Sequence, residues 1–109
     1  MTNWSRTPGT RVYAMRNGDD NHLYLFGFGT YEGDFTPPGW ARTGLGEVTY
    51  ENPRIRLDDG KTVWGFECWW GLEEAWPALV ERYAPRTVVM VDVDEYHAEV
   101  QAASEEAAR

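Results

Sequence analysis

Residues 52–71, NPRIRLDDGKTVWGFECWWG, place Trp64, Trp69, Trp70, Phe66, the carboxylate Glu67 and the only cysteine of the chain just beyond an Asp-Asp-Gly turn. That turn, set between two β-rich runs, predicts a hairpin in which Arg54 to Leu57 pairs with Thr62 to Trp70. Successive side chains of a strand point to opposite faces. Trp64, Phe66, Cys68 and Trp70 are therefore expected on one face, and Val63, Glu67 and Trp69 on the other. Both faces are then apolar. A small protein accommodates such a strand either between two packed layers or with its second face covered by a ligand or partner.

The chain has 109 residues, 15% of them aromatic. That is one domain, residues 1–109, with a modest core built from rings more than from Leu and Ile. Such cores suit small β-rich folds. One cysteine leaves no intramolecular disulfide, and no apolar run near the N-terminus suggests a signal peptide or membrane span. The expected address is cytoplasmic, with no membrane association.

The formal net charge of -8 is unevenly spread. Residues 1–56 carry six acids and six arginines, whereas residues 57–109 carry twelve acids and four bases, hence the whole excess. Binding a nucleic-acid backbone needs a basic patch, and this balance argues against direct contact with one. A compact anion remains within reach of a few arginines, because a guanidinium fork grips phosphate or carboxylate with two hydrogen bonds.

Residues 1–10, with Pro8 and Gly9, read as an N-terminal arm pinned by Trp4. Residues 11–70 read as a β-rich core. It begins with a hairpin from Arg11 to Met15, turned by Asn17-Gly18 and the polar residues after it, into a second strand from His22 to Tyr31. Strict alternation there groups Tyr24, Phe26 and Phe28 against Leu23, Leu25, Gly27, Gly29 and Tyr31. The glycines leave bare backbone for a ring, a ligand or a sharp bend. Residues 32–46 hold two prolines and four glycines and predict a long loop of the kind that forms lids, with Trp40 at its middle; a short strand from Glu47 to Tyr50 follows. Past Gly71 the period changes. A helix is predicted over 72–84, acid-rich at its start, and a strand over 87–93 whose β-branched run TVVMVDV suits a central position. A last helix over 95–108 is capped by Asp94, with a thin stripe of Tyr96, Val100, Ala103 and Ala107. The predicted class is α+β: a curved antiparallel sheet or small SH3-like β-barrel with two helices in the C-terminal third.

Gly27, Gly29 and Gly33 lack the following helix that a phosphate-cradling loop needs, so bending or close packing explains them better. Cys68 is either an inert buried thiol or a thiol paired with His22 or His97. Asp92, Asp94, Glu95 and His97 straddle a strand end and a helix start, where cap and turn roles account for them; no metal or cofactor is expected. Glu67 is the sharpest anomaly, because a carboxylate among rings must find a cation or donors, or take up a proton. It is either a buried partner of Arg54 or Arg56 across the hairpin, or a polar group fixing a ligand in an aromatic pocket.

The stretches Gly27-Phe28-Gly29-Thr30-Tyr31-Glu32-Gly33-Asp34, Asn52 to Lys61 and Val63 to Gly71 resemble small phage and prophage proteins. The order of N-terminal strands and late helices is also similar to that of anti-defence proteins that sequester cyclic nucleotide signals of the Thoeris immune system. The resemblance implies a mobile-element accessory protein that binds and does not catalyse.

The sequence thus points to a non-enzymatic binding protein whose aromatic face takes a small ligand, such as a nucleotide. Trp64, Trp69, Tyr31 and Trp40 would stack on its ring, Arg54 or Arg56 would contact an anion, and Glu67 with Asp34 or Asn52 would accept hydrogen bonds. The competing expectation is an acidic inhibitor, immunity-like factor or DNA mimic whose second half docks on a basic protein partner. A small enzyme would rest on Cys68 or Glu67 alone. A fourth expectation makes the ring cluster a core or a homo-oligomer contact.

Overall fold

The computed structural model describes residues 7–38, 42–43, 46–47 and 50–107. Trp4, most of the expected N-terminal arm, and Trp40 lie outside the described residues. In chain order the elements are β1 (Arg11–Gly18), β2 (His22–Phe35), β3 (Arg42–Thr43), β4 (Gly46–Glu47), β5 (Asn52–Leu57), β6 (Thr62–Trp64), a 3-10 turn (Gly65–Glu67), β7 (Trp69–Leu72), a second 3-10 turn (Glu73–Ala75), α1 (Trp76–Arg82), β8 (Thr87–Met90) and α2 (Val93–Ala107). The fold is α+β, as expected. A six-stranded sheet runs β6-β5-β2-β1-β7 with every neighbour antiparallel, and β8 joins β2 in parallel. β3 and β4 pair separately. No helix among the described residues is long and apolar enough to cross a membrane.

The sheet is curled because the chain passes from one of its edges to the other in a few residues. In a flat sheet β6 and β7 would stand four strand spacings apart, roughly 19 Å. Yet only residues 65–68 link them, three of them in a 3-10 turn that advances about 2 Å per residue. The expected strand from Thr62 to Trp70 is accordingly two strands. The turn resets the alternation, so Val63, Cys68 and Trp70 share the main core, while Trp69 pairs with Met15 on the other face.

β2 has its own phase change. Ala14 pairs with Gly27 and Met15 with Leu25, so Phe26 and Gly27 together oppose one residue in a β-bulge. Gly27 has φ 144°, a conformation that a side chain would strain. The bulge separates Phe26 from Phe28, which strict alternation had put together. Phe26 meets Tyr96 of α2 edge-on, centroids 5.2 Å apart, whereas Phe28 meets Trp76 at 6.0 Å. Gly29 serves close approach instead: a Cβ there would lie 2.2 Å from the carbonyl oxygen of Arg56.

The two helices take opposite faces of the sheet. Val12 and Ala14 pack in one core with Phe26, Tyr31, Ile55, Leu57, Val63 and Val93 of α2. Tyr13 lies between them in β1, so it points the other way and meets Trp76, at the start of α1, at 5.3 Å.

Three local expectations are corrected. β8 is an edge strand, pairing only β2 among the described strands; Thr87 and Met90 are exposed. Its apolar run suggested a central place, but β5 already holds the second half of the same β2 edge. The first helix of the C-terminal region enters through a 3-10 turn and is α-helical only over Trp76–Arg82. The last helix starts at Val93, because Asp92 and not Asp94 caps it, accepting the Glu95 N–H at 3.1 Å.

Candidate functional site

The tryptophan segment divides between the two faces. Trp64 is 5% exposed, and half-buried Trp70 stacks on Tyr31 with centroids 5.5 Å apart and planes 19° from parallel. The Tyr31 hydroxyl donates to Asp34 at 2.6 Å. Trp69, in contrast, is 70% exposed. It stands over a cleft of about 360 Å³ between the sheet and α1. β1 contributes Tyr13 and Met15, β2 Leu23, and α1 with its exit Leu79 and Tyr83; Arg86 closes one side.

Glu67 does not pair across the hairpin. Its Oε2 lies 2.7 Å from His97 Nε2 and its Oε1 accepts the Trp64 N–H at 2.9 Å, so a buried carboxylate has both a histidine and a backbone donor. Arg54 and Arg56 converge instead on Glu32, at 3.1 and 3.0 Å. Both project from β5 beside the register shift between Tyr31 and Gly33, which leaves Glu32 to meet two guanidinium groups. Arg54 also packs over the Phe35 ring at 3.8 Å. Asn52 is buried and donates to the carbonyl of Tyr50 at 3.3 Å.

A second cleft, about 340 Å³, is lined by Arg54, Lys61, Trp64, Asp94 and His97 among others. Its basic side chains meet acids: Arg54 meets Glu32, Lys61 meets Asp92 and Asp94, and the His97 ring meets Glu67. A third, about 320 Å³, lies on the other side of Trp69 and is lined by Arg16, Phe66, Glu67, Cys68 and Trp69. Cys68 Sγ donates to the Trp64 carbonyl at 3.5 Å. Burial, reinforced by the neighbouring Glu67 carboxylate, pushes its thiol pKa far above the ordinary range, which favours the unreactive thiol form. His22 sits in the first hairpin with Asp19 at 3.1 Å.

The residues expected to form one site are therefore dispersed. Tyr31 and Asp34 bond to each other, Asn52 is buried in the structure, and Arg54, Arg56 and Glu67 are held in ion pairs. Trp64 lines the second cleft and Trp69 the first and third. Trp40 lies outside the described residues. Tyr13, Tyr83, Arg16 and Arg86 were missed, because they come from two stretches about 70 residues apart, β1 and the exit of α1, which are brought to the two sides of Trp69 only by the curl of the sheet and the return of α1. Among the described residues no group of three or more His, Cys, Asp or Glu is placed to hold a metal ion. In comparisons with protein-family models, curated proteins and solved structures, the chain matches none of them.

Proposed function

We propose that this chain is a non-catalytic binding protein that takes a small ring-bearing ligand into the cleft beneath Trp69. The observation that carries this reading is the 70% exposure of Trp69 at the rim of a cleft floored by Tyr13, Met15 and Leu23. An indole left in water on an edge strand contributes little to the fold, while an aromatic floor beneath it suits stacking. The volume is at the small end of ligand pockets, enough for one compact ligand. Sequestration of such a ligand also fits the resemblance to mobile-element accessory proteins.

Titration with N-phenyl-1-naphthylamine, a neutral ring probe, tests the reading. Saturable binding that survives high salt and is lost in Trp69→Ala is the expected result. Binding that is absent, or indifferent to that substitution, would end it. The second reading, docking on a basic protein, draws on the exposed acids Asp94, Glu95, Glu99, Glu105 and Glu106 of α2. Its signature is partner affinity that collapses with salt and with reversal of Glu95 and Glu99. Asp92 is unsuitable for such reversal, because it caps α2 and pairs with Lys61.

A further inference from the structure

Of the arginines whose side chains are described, those without a described acid partner, Arg16, Arg82 and Arg86, gather around Trp69 and Tyr83. Arg11 is held by Asp58 and Glu73, Arg54 and Arg56 by Glu32, and Lys61 by Asp92 and Asp94. Arg86 instead lines the main cleft and packs over the Tyr83 ring at 4.9 Å. Arg82 approaches the same ring at 5.7 Å. Arg16 lines the cleft on the far side of Trp69 and packs over Tyr24 at 5.0 Å. In a chain of net charge -8, with acids to spare, this leaves a positive pole at the most exposed tryptophan described.

A guanidinium resting on a ring is still able to donate through its N–H groups. The carboxylate that lines the Arg16 side, Glu67, is turned onto His97 and the Trp64 N–H. Among the described residues no carboxylate lines the main cleft.

We infer that the ligand of the Trp69 cleft is a ring-bearing anion, its ring against Trp69 and Tyr83 and its phosphate or carboxylate on the fork of Arg86, with Arg16 adding positive potential across the indole. This rests on the reading of the cleft as a binding site, and it moves the anion contact from Arg54 and Arg56 to Arg86.

The experiment is a fluorescence and calorimetric titration with two matched pairs, adenosine against adenosine 5′-monophosphate and 2-naphthylmethanol against 2-naphthoate, with inorganic phosphate alone as a fifth probe. The anionic member of at least one pair should bind about tenfold tighter than its neutral partner, and which pair responds separates phosphate from carboxylate. Arg86→Ala should abolish that preference and leave the neutral member unchanged. Arg86→Lys should retain part of it, since charge survives and the fork does not. Arg56→Ala, a variant outside the cleft, should bind as the wild type does. Neutral and anionic members binding equally, with both lost in Trp69→Ala, would overturn the anion assignment and leave the binding site standing. Inorganic phosphate binding as tightly as the nucleotide would also overturn it, because the ring would then be idle. No saturable binding by any of the five probes would overturn both the inference and the reading beneath it.

Discussion

His97 brings its Nε2 to 2.7 Å from Oε2 of Glu67, joining α2 to the 3-10 turn between β6 and β7. The Glu67 side chain is 5% exposed and that of His97 20%, so water screens this pair little compared with the surface pairs of the molecule.

Removing the histidine leaves a buried carboxylate with the Trp64 N–H as its remaining described donor. His97→Ala is expected to cost about 3 kcal/mol, and Glu67→Gln, which keeps an acceptor for Trp64, about 1 to 2 kcal/mol. Urea unfolding of both variants and of the double variant gives the coupling directly. A His97→Ala variant as stable as the wild type would show that the contact contributes nothing.

Neighbouring tryptophans should respond oppositely. Trp70→Ala removes the ring stacked on Tyr31 and should cost about 3 kcal/mol. Trp69→Ala should stay within about 0.5 kcal/mol, since its ring is largely in water. Thermal melts of the two variants decide this. Equal losses would mean that Trp69 is packed in solution.

Gly29→Ala should be severely destabilising. The added methyl would lie 2.2 Å from the Arg56 carbonyl oxygen and 2.8 Å from the Leu57 Cα. These are backbone atoms of a paired strand, so β5 must move, at about 3 kcal/mol. The midpoint of urea unfolding measures it.

Acid should weaken the fold partly through Asp19. A hydrogen bond from the Tyr24 hydroxyl, followed by those from the Asn21 and His22 N–H groups, holds its pKa down to about 2, against an ordinary 3.8. Between these values the unfolded chain binds more protons, so stability rises with pH there. The contribution is present above 3.8 and is lost as the pH falls through about 2. Asp58 beside Arg11 and Asp92 beside Lys61 are shifted in the same direction. Melting temperature against pH should therefore have a shallower acid limb in Asp19→Asn than in the wild type; an unchanged limb would remove Asp19 from the account.

Cys68 should resist iodoacetamide in the native protein at pH 8 and react at once in urea. Its thiolate is disfavoured by burial and by Glu67, so labelling should follow the opening of the turn. His97→Ala, which frees that turn, should label faster. Rapid native labelling with an unperturbed fold would contradict the burial of the sulfur.

Local chemistry was legible in the residues themselves. The α+β class, the first hairpin, the pairing of Arg54 to Leu57 with the run after the Asp-Asp-Gly turn, and the acid-rich entry to α1 all follow from signals confined to a few neighbouring residues. Asn17 and Gly18, however, expected in the first turn, end β1 paired with Tyr24 and Leu23 and leave the reversal to residues 19–21. The shift at Gly27 and the break at Gly65–Glu67 did not follow. Each slips a period of two by one residue, which changes which side chains share a face without altering the composition of the strand. The edge position of β8 depended on which half of β2 was already paired.

The sequence by itself determined that Glu67 needs a cation, donors or a proton, and that the excess of acids lies in the second half. The core expected to be built from rings is instead mostly aliphatic, with Leu23, Ile55, Val12, Val63 and Val93 its largest fully buried side chains. Only the tertiary structure decided which tryptophan stays in water, which histidine answers the carboxylate, and which arginines are left without acids. Those outcomes depend on distances between segments far apart in the chain, set when the sheet curls and brings β7 and α1 back against β1 and β2.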